Sequence, residues 1–257
     1  MFRKAKSKLI DWKNNSKNAL LVTGARQVGK TFIIREFLEE EIGEDNFIEF
    51  NLFENELAKK TIDNSLNSED LLFRLSALAN KPMIKGKTVI FLDEVQVCSN
   101  IITAIKFLVS EGSYRYILSG SLLGTELKDI KSFPVGYMST FQMFPLDFEE
   151  FLWAKGYKDN QIEEMYSSMK NLTPLSKVMM EVMNENFKDY LVLGGMPKVV
   201  ALFIKNKNFS GTLKLQKQLI LDYEEDITKY ANGLDKTKIL NVYRKIPVFL
   251  GSDNKKF

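Results

Sequence analysis

Ala19 to Glu40 reads ALLVTGARQVGKTFIIREFLEE: a short apolar run, a glycine-bounded loop from Gly24 to Thr31, and a stretch with helical spacing. The loop, Gly24-Ala25-Arg26-Gln27-Val28-Gly29-Lys30-Thr31, matches G-x-x-x-x-G-K-[ST] and lies between strand and helix, where that pattern has chemical meaning. Its glycines let successive backbone N–H groups converge on the β- and γ-phosphates of a nucleotide. The helix that follows adds the positive end of its dipole. Lys30 then supplies a point charge that follows the γ-phosphate, and Thr31 a hydroxyl for Mg²⁺.

A second segment points the same way. Thr88 to Glu94 reads TVIFLDE, an apolar strand that ends in two adjacent carboxylates 63 residues beyond Lys30. Asp93 is expected to complete the Mg²⁺ shell, and Glu94 to orient and deprotonate an attacking water. The sequence contains no N-K-x-D guanine-reading segment, which favours ATP over GTP. Tyr116 to Ser119 runs into GSLLG and would deliver Ser119 or Ser121 near the γ-phosphate, a sensor role that a plain Ser-Gly turn explains equally well.

Outward from these motifs, short β-rich runs alternate with helical patterns through the first 145 residues, which predicts an α/β fold with a parallel sheet. The strands are drawn at Ala19 to Thr23, Phe47 to Asn51, Thr88 to Leu92, Tyr116 to Ser119 and Tyr137 to Met143. Helices are expected at Thr31 to Glu40, Leu71 to Ala79 and Ile101 to Ser110, lengths suited to crossovers. After Pro145 only amphipathic helices are predicted: Asp147 to Lys155, Asn160 to Lys170, Leu175 to Leu193, Pro197 to Lys205 and Thr212 to Tyr230. The expected organisation is a core over 1–145, a helical lid over 146–232, and the start of a truncated C-terminal region over 233–257. The end, Tyr243 to Phe257, closes in GSDNKKF with no evident packing partner. Met165, Met169, Met179, Met180 and Met183 recur at near-helical spacing and are expected to fill a core.

Composition narrows the chemistry. Among 257 residues there is no histidine, which removes the Ser/His/Asp triad, histidine zinc sites and histidine pH switches. The single cysteine, Cys98, cannot form an internal disulfide and fits a reducing compartment. Net charge is +3, and only six of the 36 basic residues are Arg, a balance that argues mildly against sequence-specific DNA readout. No apolar stretch is long enough to span a membrane, and MFRKAKSKLIDWKNN does not read as a signal peptide, so a cytoplasmic location is expected.

Taken in order, GARQVGKT, FLDEVQ, ILSGSLLG, GYMSTFQMFPLDFEEFL and YLVLGGMPKVV resemble the prokaryotic AAA-type ATPases that carry a C-terminal domain of unknown function, relatives of the STAND signalling NTPases. The resemblance implies a P-loop NTPase sheet of five strands in the order 5-1-4-3-2 followed by a helical lid. It implies ATP/ADP and Mg²⁺ as ligands. It also makes Gly195-Met196-Pro197 look like the G-x-P motif of STAND lids, in which Pro197 packs on adenine. Members of this family usually continue beyond the length seen here, and Arg74, Arg115 and Arg244 offer no evident arginine finger. Two activities are compatible with these features: an Mg²⁺-dependent ATPase, or a nucleotide-gated switch with slow or incidental hydrolysis coupled to a DNA-related effector. The partners implied are a nucleotide and a protein of unknown identity. DNA as a partner rests on analogy alone.

Overall fold

Residues of β-strands alternate between the two faces of a sheet, so a sheet covered on both sides needs apolar residues at consecutive positions. That is the pattern of β1 (Ala19–Gly24) and β3 (Val89–Asp93). With β2 (Phe47–Asn51), β4 (Arg115–Gly120) and β5 (Met138–Met143) they form, in the computed structural model, one sheet in the order β2-β3-β4-β1-β5. All four pairings are parallel. This is the expected 5-1-4-3-2 order, counted from the other edge. The structure describes residues 2–98, 100–121, 134–230 and 235–251. Leu122 to Gly124 of the GSLLG stretch and the closing residues 252–257 lie outside them.

The alternation sorts the core into two layers. Leu21, Ile90, Leu92, Tyr116 and Leu118 face one side, where they pack with Ala58, Ile62, Leu71, Leu75, Ile101, Ile105 and Leu108 from α3 (Glu56–Asp63), α4 (Ser68–Leu78) and α5 (Asn100–Glu111). Leu20, Val22, Val89, Phe91 and Ile117 face the other, against Leu9 and Trp12 of α1 (Ala5–Asn15) and Ile33, Ile34 and Phe37 of α2 (Lys30–Phe37). One residue of slip in any strand would exchange these faces, so the register is firmly held.

Within residues 1–145, α1 and α3 are helices that the sequence reading does not draw. The basic N-terminal stretch forms α1, which buries only Ala5, Leu9 and Trp12, at i, i+4 and i+7. Its C-terminal carbonyls are closed by Arg115: Nη1 donates to Lys13 O at 2.9 Å, and Nη2 to Trp12 O at 2.8 Å and Ser16 O at 2.9 Å. The eight-residue α3 is started by Asn55, whose side chain accepts from Ala58 N–H at 2.9 Å, and buries only Ala58 and Ile62. Few apolar positions make such helices quiet in a periodicity reading. At its C-terminal end α2 passes into a π-helical turn at Leu38–Ile42 rather than continuing as α-helix to Glu40.

The chain divides into two compact units, 1–197 and 198–257. Beyond the sheet the first unit holds α6 (Phe148–Ala154), α7 (Asp159–Asn171) and α8 (Lys177–Leu193). Leu152, Ile162 and Met183 form their small core, with Met165 and Met179 partly buried against it. Met169 and Met180 stay 69% and 46% exposed, so only part of the expected methionine stripe fills a core. In the second unit, α9 (Pro197–Asn206, entered from the last residue of the first) is followed by α10 (Thr212–Tyr230) and α11 (Lys236–Leu250). Residues from Tyr243 to Leu250 belong to α11, which is capped by Asp235 and whose Arg244 forks onto Glu224 of α10 with two 2.7 Å hydrogen bonds; none of its residues is buried, so this segment gains a polar tie to α10 and no place in a core.

Candidate functional site

Parallel strands place their C-terminal ends along one edge of the sheet, and ligands of open α/β sheets bind outside that edge. β1 ends there at Gly24 with φ +147°, and a Cβ at this position would stand 2.2 Å from the Met143 carbonyl oxygen at the end of β5. Only glycine lets the two strand ends approach so closely. From Gly24 the loop passes Gln27 at φ 63° and the buried Val28 to Gly29 at φ 93°, which begins α2 from a left-handed conformation.

Lys30 is 6% exposed and folds back over this loop. Its Nζ donates to Gly24 O at 3.0 Å, Ala25 O at 2.9 Å and Ser121 Oγ at 3.2 Å. Burial lowers its pKa from the usual lysine value, while the Glu94 and Asp93 carboxylates act in the opposite direction. A charge held at such a cost stands ready for an anion. Thr31, 62 residues before Asp93, donates its hydroxyl to Asp93 Oδ2 at 2.8 Å. Asp93 itself is 2% exposed; Oδ1 accepts from the Ser119 hydroxyl and, at 3.0 Å, from Glu94 N–H.

The two candidate serines thus divide. Ser119 faces the Asp93 carboxylate, because Leu92 and Leu118 are in register and the next residues of β3 and β4 lie side by side. Ser121, two positions on, is the one that reaches Lys30. Glu94 is half-buried with φ 57°, and its carboxylate accepts a hydrogen bond from Gln96 Nε2, a partner the sequence reading missed. Hard oxygens from Thr31 and Asp93 converge here, a donor set that suits Mg²⁺, which keeps most of its shell for water and phosphate. Among the described residues no group of three or more Asp, Glu, Cys or His is arranged to hold a metal unaided.

The segment after β5 closes the site from the side. Arg3 is 6% exposed: Nη1 donates to the Val28 carbonyl of the loop at 3.1 Å, Nη2 to Phe144 O at 2.7 Å, and Nε to Glu150 Oε1 at 3.1 Å. Glu150 also completes a capping box with Asp147 at the start of α6 and accepts from Lys4 N–H at 2.7 Å. Leu146 N–H donates to Gly195 O at 2.7 Å, and Tyr190 OH to Leu146 O at 2.8 Å. A Cβ on Gly195 would stand 2.1 Å from Leu146 O, so the first residue of the Gly195-Met196-Pro197 motif needs its bare backbone. Pro197 Cγ lies 3.9 Å from a Cβ built on Gly29, which sets the proline beside the loop. Breaking the Arg3–Glu150 pair strands a buried charge. Arg3→Met or Glu150→Gln is expected to destabilise by roughly 3 kcal/mol, and Arg3→Met with Glu150→Gln by less than the sum of the two. Denaturant unfolding of the three variants checks this.

The candidate arginine fingers are all engaged within the chain. Arg74 pairs with Asp70 at 2.8 Å, Arg115 closes α1, and Arg244 binds Glu224. Cys98 stands apart from the site, its thiol donating to Asp63 Oδ1 at 3.4 Å and pushed up to about 12 by burial.

A five-stranded parallel sheet with this loop at the end of β1 and a carboxylate pair at the end of β3 defines the class as P-loop NTPases. Gly24 to Thr31, Asp93 and Glu94 stand together at one end of the sheet, as that class requires. The chain belongs to the AAA domain family, whose model matches residues 16–152, and it is an AAA-type nucleotide-binding module. A domain of unknown function (DUF8612) matches residues 184–257. No curated protein matches the sequence. Among solved structures it is similar to the Orc1 protein of Aeropyrum pernix in complex with DNA, at 18% identity over 58% of this chain and 46% of that one, TM-score 0.38. It is similar also to a STAND protein with a tetratricopeptide repeat sensor from Pyrococcus horikoshii, at 12% identity, 88% and 33% coverage, TM-score 0.46. AMPPCP-bound DnaA from Aquifex aeolicus matches at 14% identity, 96% and 77% coverage, TM-score 0.46. The chain spans about half the length of the Aeropyrum protein.

Proposed function

We propose that this chain is a Mg²⁺-dependent ATPase, with a core over 1–145 and a helical lid over 146–232. The observation that carries the reading is the Thr31–Asp93 hydrogen bond of 2.8 Å beside the buried Lys30, which joins the two motifs into one polar cluster. In this reading the backbone of Gly24 to Gly29 and the Lys30 ammonium hold the β- and γ-phosphates. Thr31 and Asp93 hold Mg²⁺, which supplies neutralisation of phosphate charge. Glu94 accepts a proton from water, whose oxygen bonds to the γ-phosphorus as the bond to the bridging oxygen breaks, giving ADP and inorganic phosphate. Ser121 keeps the lysine head in place, Ser119 orients Asp93, and Pro197 borders the adenine.

Phosphate release is expected with ATP and Mg²⁺, to stop with EDTA, and to be at least about tenfold slower with GTP. A coupled phosphate assay checks it. Stoichiometric bound ADP with negligible release would instead support a nucleotide-gated switch. No described helix is long and apolar enough to cross a membrane. We infer a cytoplasmic site of action from the lone cysteine, Cys98, which fits a reducing compartment.

A further inference from the structure

Gln96 sits in the 3-10 turn Val95–Val97 that follows the carboxylate pair, and its amide is used at both ends. Nε2 donates to Glu94 Oε2, and Oε1 accepts from Ser121 N–H at 3.2 Å. The amide orientation follows from chemistry. A backbone N–H can only donate, so the oxygen faces Ser121, and the carboxylate can only accept, so the NH₂ faces Glu94. Ser121 Oγ in turn accepts from Lys30 Nζ at 3.2 Å. A continuous path therefore runs from the phosphate lysine through Ser121 and Gln96 to Glu94.

Space for it is made at Gly120. A Cβ there would stand 2.8 Å from Gln96 Oε1 and 3.3 Å from Val95 Cγ2. Because φ at Gly120 is not positive, the reason for glycine is this close approach rather than the backbone. One oxygen of Glu94 is thus held by a charge-assisted bond, which leaves the other to accept a proton.

We propose that Gln96 is a positioning residue: it holds the Glu94 carboxylate in the orientation that activates water, and ties that orientation to Lys30 through Ser121. The proposal rests on the reading of Glu94 as the group that takes the proton. Losing such a restraint costs turnover rather than binding, since the Gln96 amide bonds Glu94 and the Ser121 backbone and none of the loop residues Gly24 to Thr31.

Gln96→Leu is expected to lower kcat about 10- to 100-fold, with KM, affinity for a fluorescent ATP analogue and melting temperature close to wild type. In the wild-type protein the Gln96 side-chain amide resonance is expected downfield, and to move back in Glu94→Ala. Wild-type kcat in Gln96→Leu, with Glu94→Gln inactive, overturns this proposal alone. Wild-type kcat in Glu94→Gln overturns the reading of Glu94 and this proposal with it. Parallel loss of affinity, kcat and melting temperature in Gln96→Leu assigns a merely structural role and overturns it as well. Should Gln96→Leu fail to fold, Gln96→Asn and the amide resonance decide; an amide unmoved by Glu94→Ala overturns it.

Discussion

Glu94→Gln is expected to bind ATP with wild-type affinity and to hydrolyse it roughly 10²- to 10⁴-fold more slowly. The substitution keeps the length of the side chain and an oxygen for Gln96 Nε2, so the local hydrogen bonds survive. What it removes is a basic lone pair. Asp93, which orients Thr31 and accepts from Ser119, is untouched, so the phosphate and Mg²⁺ contacts persist. Single-turnover phosphate release gives the chemical step, and titration with a fluorescent ATP analogue gives the affinity. A variant that hydrolyses at the wild-type rate would show that Glu94 does not take the proton. One that loses affinity as steeply as turnover would mean that Glu94 supports the loop instead.

Which parts of this site could be read in the sequence follows from where its contacts come from. The phosphate loop is contiguous: eight neighbouring residues carry the glycines, the lysine and the hydroxyl, and their spacing is itself the chemistry. Asp93 and Glu94 were legible for a similar reason, as charged residues at the tip of an otherwise apolar strand. The sheet order was not written in any spacing and came with the family resemblance. Ser119 and Ser121 could not be separated, because alternation puts both on one face and only the β3–β4 register tells which stands beside Asp93. Arg3 escaped notice altogether. Its partner Glu150 is 147 residues away, and its other acceptors are backbone carbonyls, which every residue has. Gln96 belongs to the FLDEVQ segment, yet its role depends on a 3-10 turn that folds it back and on the notch at Gly120. Long-range side-chain contacts to backbone leave no pattern in a single sequence.

Lys30→Met is expected to lower ATP affinity roughly 100-fold at neutral pH, by removing a buried charge-assisted donor to phosphate while keeping the length of the side chain. The pH dependence distinguishes this from a general loss of the loop. Burial holds the Lys30 pKa below 10.5 in the folded chain. Between the folded value and 10.5 the unfolded chain therefore binds more protons, so stability contributed through Lys30 rises with pH across that window and is lowest below it. Nucleotide phosphates beside Nζ favour its charged form. Binding above the folded pKa thus takes up a proton, and ATP affinity falls as pH rises through it. Lys30→Met removes both dependences. The difference in unfolding free energy between wild type and variant, followed by denaturant titration from pH 7 to pH 10, should grow in favour of the wild type. Over the same range the wild-type affinity for ATP should decline while the weak affinity of the variant stays level with respect to this group. Parallel pH profiles for the two proteins would show that the lysine is neither buried at a cost nor charged by the phosphates, and the assignment of Lys30 to the γ-phosphate would fall.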